Sequence, residues 1–220
     1  MLKAVLLSSA ALALVATGAY ASPKYTFSGD HRMVSVQPTK GTVNTPNHLR
    51  FPGGGGFSNL ASDYPNGLYF CCYGYTISGP SSELGSSAYA DAIAFTLTKK
   101  AKATKLSASA NYVSGNGNFT LTLYADSGSN TPGAVLASGT GTSTTYFGGC
   151  CGTTDASISS TKLSAGTQYW LGVSTTGSNW GAWAMSTTDQ VDDALLAYSD
   201  NGGGSWNSYS TYLRPAGSVN

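Results

Sequence analysis

The chain has 220 residues, only 10% of them charged, and a formal net charge of +1. So weak a field gathers no phosphate backbone, which excludes nucleic acid as a partner. Polar character comes instead from Ser, Thr, Asn and Gly, a composition that suits an exported β protein better than a cytosolic enzyme or a helical bundle.

Residues 1–21 read as a secretory signal peptide. Met1-Leu2-Lys3 gives a positive start, 4–18 an apolar run broken only by Ser8, Ser9 and Thr17, and Ala19-Tyr20-Ala21 a small-x-small cleavage site. The run is shorter than the roughly 20 residues of a membrane span. No transmembrane segment is therefore expected after cleavage, and the protein is expected to be secreted, extracellular or periplasmic. Removing Lys3 leaves equal numbers of basic and acidic residues.

Residues 22–66 are expected to form an irregular Pro- and Gly-rich N-terminal arm, with alternation only at Met33-Val34-Ser35-Val36. The glycines at 53–56 lack the Lys-Ser/Thr of a phosphate loop and read as a flexible connection. His31 and His48, the only histidines, lie in this arm and read as solvated or packed side chains rather than ligands.

Residues 67–220 are expected to form the body. Strands are predicted over 68–77 and over 90–98, where Ile93, Phe95 and Leu97 share a face. Lys99, Lys100, Lys102 and Lys105 read as a charged hairpin that keeps neighbouring strand edges from pairing with other chains; an acidic polymer or anionic surface is the alternative. A strand at 106–113 and a turn at Ser114-Gly115-Asn116-Gly117 follow. In 118–125, Phe119, Leu121 and Leu123 point one way, and the polar run from Asp126 to Pro132-Gly133 turns the chain back. The hexamer Gln168-Tyr169-Trp170-Leu171-Gly172-Val173 is the most strand-like in the chain, with Tyr169, Leu171 and Val173 on one face. Trp180 and Trp183 are three apart, so they face opposite sides of a strand, one toward the core and one expected toward solvent. Residues 197–206 read as a hairpin with a Gly-rich turn. The fold class is all-β: an antiparallel two-sheet β-sandwich, jelly-roll-like, with the irregular arm attached.

The runs FTLTLYADSGSNTPGAVLASG, FGGCC, LSAGTQYWLGVSTT and WGAWAMSTTDQ together resemble bacterial secreted domains of the choice-of-anchor type, from about Tyr73 to the C-terminus. The resemblance implies a β-sandwich in an exported protein. It brings no catalytic residues with it.

Cys71-Cys72 and Cys150-Cys151 form two vicinal pairs in a chain directed to an oxidising compartment, so disulfides are expected, with the pairing open. A four-thiolate metal site is the rival, and adjacent residues turn poorly toward one ion. An enzyme would need a nucleophile with a base, a separated carboxylate pair or an open metal site, and the pattern offers none, so no catalysis is expected. Asp189, Asp192, Asp193 and Asp200 are weak calcium candidates, better read as surface acids in turns; no other cofactor is indicated. Tyr73, Tyr75, Trp180, Trp183 and Trp206 are candidates for stacking on a sugar ring. The expected function is a structural, adhesive or surface-interaction role outside the cytoplasm. The alternative is a carbohydrate-binding module using exposed Trp and Tyr, with a polysaccharide or another cell-surface component as partner.

Overall fold

The computed structural model describes residues 24–28, 32–36, 56–60, 70–149, 152–186, 194–211 and 213–220. The arm contributes β1 (Tyr25–Phe27), β2 (Met33–Val36) and β3 (Phe57–Ser58). The body contributes β4 (Phe70–Ser78), β5 (Ala90–Thr96), β6 (Ala101–Ala108), β7 (Ala110–Ser114), β8 (Asn118–Asp126) and β9 (Pro132–Thr142). It continues with β10 (Thr154–Leu163), β11 (Gln168–Ser174), β12 (Trp180–Met185), β13 (Ala194–Ser199), β14 (Asn207–Thr211) and β15 (Gly217–Val219). The protein is all-β, and every strand pairing is antiparallel.

One layer is a six-stranded sheet in the order β14-β13-β5-β11-β8-β9. Facing it are a five-stranded sheet, β1-β2-β4-β12-β7, and a four-stranded sheet, β10-β6-β15-β3. The two smaller sheets join at Ser109, between β6 and β7. Its amide donates to the Ala216 carbonyl at 3.0 Å, its carbonyl accepts the Ala184 amide at 3.0 Å, and the Ala216 amide donates to the Ala184 carbonyl at 2.9 Å. The Ser109 hydroxyl donates to the Ala184 carbonyl at 2.7 Å. The Trp183 indole closes the node on the Ala216 carbonyl at 2.8 Å. Groups left unpaired by the break between sheets thus find partners, as buried backbone must.

Alternation fills the space between the layers. Phe119, Leu121 and Leu123 of β8, Ile93 and Phe95 of β5, Leu97 just after it, and Tyr169, Leu171 and Val173 of β11 point inward from the six-stranded sheet. They meet Tyr75, Ile77, Leu106, Trp183, Met185 and Val219 from the other side. Each fully buried Leu, Ile or Phe contributes about 1.5–3 kcal/mol, so this layer is the main source of stability. At one side of the sandwich β9 approaches β10 so closely that a Cβ on Gly139 or Gly141 would lie 2.4 Å from a β10 carbonyl oxygen.

Short described stretches of the arm lie along the sandwich and add strands to its sheets: β2, at the alternating Met33–Val36, pairs with β4, β3 pairs with β15, and the Phe57 ring stacks on Phe95 at 4.8 Å. One expectation is corrected: the lysine segment is not a hairpin, because β5 and β6 belong to different sheets. Lys102 and Lys105 sit on β6, because Ala101 and Ala103 turn inward between exposed lysines and the strand therefore begins before Leu106.

Candidate functional site

The predicted residues scatter. Trp183 is fully buried in the central core. Trp180 does face the opposite side of β12, yet it is 2% exposed, which corrects the expectation of an exposed ring. Tyr25 meets it edge-on at 5.4 Å, Phe27 lies at 5.7 Å, and its indole donates to Glu83 Oε1 at 2.5 Å. Trp206 is half-buried on the outer face of the six-stranded sheet, edge-on to Tyr124 at 5.7 Å. Beside it Trp170 is fully buried, its indole donating to Asp126 Oδ1 at 2.8 Å. Gln168 and the Gly128 amide donate to the same carboxylate. These bonds outweigh desolvation and hold Asp126 below the usual carboxylate range.

The Cys71, Cys150 and Cys151 side chains lie outside the described residues, as do His31, His48, Asp189, Asp192, Asp193 and residues 1–21. Cys72 is half-buried against the apolar cluster that contains Trp180. Among the described residues no group of three or more His, Cys, Asp or Glu is placed to hold a metal ion.

Tyr73, Tyr75 and Asp200 do lie in one region, at the edge of the sandwich where the Tyr75 hydroxyl of β4 lies 3.4 Å from the Thr211 hydroxyl of β14 and Arg32 meets Asp200. The register explains how. On β5 the core-facing row begins with Asp91 ahead of Ile93 and Phe95, and Asp91 pairs with Tyr198 of β13. On the facing sheet, Tyr75 pairs with Met33 of β2, whose sulfur accepts the Tyr73 hydroxyl at 3.3 Å. Arg32, just before β2, reaches across the edge. Its Nη2 lies 2.6 Å from Asp200 Oδ1, and its guanidinium carbon sits 3.5 Å from the centre of the Tyr198 ring and 5.8 Å from that of Tyr89. Tyr75, 2% exposed, donates to the Leu213 carbonyl at 3.0 Å. Tyr209 of β14 packs against Tyr198 at 5.8 Å.

The electrostatics of this cluster are dominated by Asp91, which is 4% exposed. Burial pushes its carboxyl well above the usual range; the Asp200 charge raises it further and Arg32 opposes both. Burial also raises the Tyr75 and Tyr209 phenols. A buried, perturbed acid beside a cation marks a candidate site. Here Arg32 is held in an ion pair and a cation–π stack, so the arrangement can hold a proton on Asp91 and clasp the N-terminal arm to the body. No sequence pattern singles out Arg32, Tyr89, Tyr198 or Tyr209; the one signal the sequence offers is Asp91 itself, an acid at the head of an otherwise apolar core-facing row.

A second feature is a depression of about 370 Å³ between the β8–β9 pair and the β11–β12 turn, lined by Asn116, Asn118, Thr120, Thr140, Thr176 and Asn179, among others. Asn179 is its keystone, accepting the Asn116 amide at 2.6 Å and donating to Asn116 Oδ1 at 2.5 Å. No family model, curated protein or solved structure matches the chain.

Proposed function

We propose that this is an exported, non-catalytic β-sandwich with a structural or adhesive role, meeting its partners across its surface outside the cytoplasm. The supporting observation is the placement of the aromatic rings. Trp183 lies between the layers, Trp180 under β1 on the outside of the five-stranded sheet, and Trp170 on the outside of the six-stranded sheet. All three are buried, so these rings stabilise the sandwich and are not offered to a ligand. The Asp91–Arg32–Asp200 cluster fits the same reading, because it fastens one part of the chain to another.

The test is tryptophan emission together with reducing-end assays across a panel of soluble polysaccharides. Blue-shifted emission that acrylamide quenches poorly, with no new reducing ends, supports the proposal. Polymer shortening would overturn it.

A second reading, a carbohydrate-binding module, is favoured by the Asn- and Thr-lined depression rather than by the tryptophans. Amides and hydroxyls without charge suit the neutral hydroxyls of a sugar. If sugar is held there, Thr120→Val weakens binding of a neutral oligosaccharide while Trp206→Ala leaves it unchanged.

A further inference from the structure

Five of the eleven basic residues of this charge-poor chain, Lys99, Lys100, Lys102, Lys105 and Lys162, converge at one end of the four-stranded sheet. The sequence places four of them together; the fold adds Lys162. On β10 that residue is the direct cross-strand partner of Lys102. Directly paired residues share a face of the sheet with Cβ atoms about 5 Å apart, and like charges so placed destabilise the pairing. Lys102 and Lys162 are both exposed, as are Lys99 and Lys100 in the turn that leads into β6. Among the described residues the only ion pair here is Lys105 with Asp155 at 2.7 Å.

Edge protection explains only part of this arrangement. Lysines protect the edges of sheets from pairing with other chains, and Lys162 lies on β10, the outermost strand, but Lys102 and Lys105 lie on β6, an inner strand flanked by β10 and β15, and Lys99 and Lys100 lie in the turn before it. The 155–157 half of β10, moreover, is already approached by Gly139 and Gly141 of β9. Asn220, whose main-chain oxygen accepts the Thr104 and Lys105 amides, lies on the β15 side of β6, away from Lys162. Four of the five lysines lie away from the edge strand and one of them opposes a like charge across the pairing, an arrangement that an anionic partner accounts for.

We infer that the solvent face of β6 and β10, with the turn at Lys99 and Lys100, docks a linear acidic polysaccharide. This rests on the reading of the chain as a surface-interaction protein and names its partner. The neighbours decide the class. Thr104, Ser159 and Ser160 are exposed hydroxyls suited to sugar hydroxyls. Among the described residues of β6, β10 and the turn, the exposed side chains include no ring for stacking on bases and no large apolar group for insertion into a bilayer; Ile158 is half-buried against the core. Its cations are lysines, compact point charges that fit spaced carboxylates, rather than the planar forks of arginine that grip phosphate in two places. Successive outward side chains along a strand lie about 6.6–6.8 Å apart, so a chain bearing a carboxylate on each residue can meet several lysines along its length.

The test is isothermal titration of the purified protein with polygalacturonate at low ionic strength. Neutral dextran, phosphatidylglycerol vesicles and double-stranded DNA are the comparison arms. The expected result is saturable binding of polygalacturonate alone that fades as salt is raised. Lys102→Glu weakens that binding about tenfold or more, since it both removes and reverses a charge at the centre of the patch. The same substitution replaces the repulsive pair with an attractive one, so its melting temperature equals or exceeds the parent's, and weaker binding cannot be assigned to misfolding. A second variant, Lys99→Gln with Lys100→Gln, lies in the turn and weakens binding without touching the strand pairing. Equal affinity of parent and Lys102→Glu overturns the inference, as does preference for vesicles or DNA, or no binding of polygalacturonate. Shortening of the polymer would instead overturn the non-catalytic reading on which the inference rests.

Discussion

Replacing Asp91 with Asn tests the edge cluster most directly. In the folded protein burial keeps a proton on this carboxyl over a range in which the unfolded chain, titrating near pH 4, has already lost it. Folding therefore takes up a proton, and by linkage stability falls as pH rises from about 4 through the raised folded value, then levels off. The contribution has a ceiling whatever the folded value is. Keeping an aspartate protonated at pH 7 costs at most about 1.4 kcal/mol for each of the roughly three pH units above its unfolded value, or about 4 kcal/mol. Asn has nearly the same shape and no proton to acquire. Asp91→Asn should thus match the parent near pH 4 and gain on it steadily toward pH 7, by as much as about 4 kcal/mol. With urea slopes of about 1–3 kcal/mol/M, the midpoint should rise by more than about 1 M if the ceiling is reached. Urea unfolding at half-unit steps from pH 4 to pH 8 measures this. A variant less stable than the parent at pH 8, with a parent profile flat from pH 5 upward, would refute the reasoning. It would mean that Asp91 is ionised and that its attraction to Arg32 outweighs its burial.

Other outcomes follow from the same geometry. Ser109→Ala should cost only about 0.5–1.5 kcal/mol by denaturant unfolding, because the Ala184 and Ala216 carbonyls keep backbone or indole donors when the hydroxyl is lost. Trp180→Ala should cost about 3–5 kcal/mol as a large buried ring is removed, whereas Trp206→Ala, half-exposed, should cost little more than its edge contact with Tyr124, about 0.5–1.5 kcal/mol; thermal unfolding distinguishes them. Gly139→Ala should destabilise by about 1–3 kcal/mol, since its Cβ would meet the Ser157 carbonyl oxygen at 2.4 Å and the two strands must part.

Much of the sandwich is legible in the sequence because its central strands carry a strict two-residue period. Phe119-Leu121-Leu123 and Tyr169-Leu171-Val173 announce both the strands and their inward faces, and all six side chains are buried. Of the arm only the alternation at Met33–Val36 is legible, since β1 and β3 are held by pairing with β2 and β15 rather than by local pattern. The same limit applies to Trp180. Spacing places it opposite Trp183, but its cover comes from Tyr25 and Phe27, more than 150 residues earlier in sequence, and no local pattern encodes that lid. The edge cluster is hidden for a related reason. Arg32, Asp91 and Asp200 are ordinary solvated charges until the strand registers bring them together.

The Ser109 node bears on how the molecule assembles in time. Ala216 supplies the carbonyl on which the Ser109 amide and the Trp183 indole converge, and β15 fills the middle of the four-stranded sheet between β6 and β3. β15 is thus an inner strand of its sheet, and a nascent chain that has not yet reached residues 213–220 can form hairpins such as β8–β9 but lacks the Ala216 link between its two smaller sheets. Closing loops of that span before any contact compensates for them is slow, in the range of milliseconds to seconds for β-rich topologies. The two smaller sheets accordingly join only after Ala216 and β15 have been made.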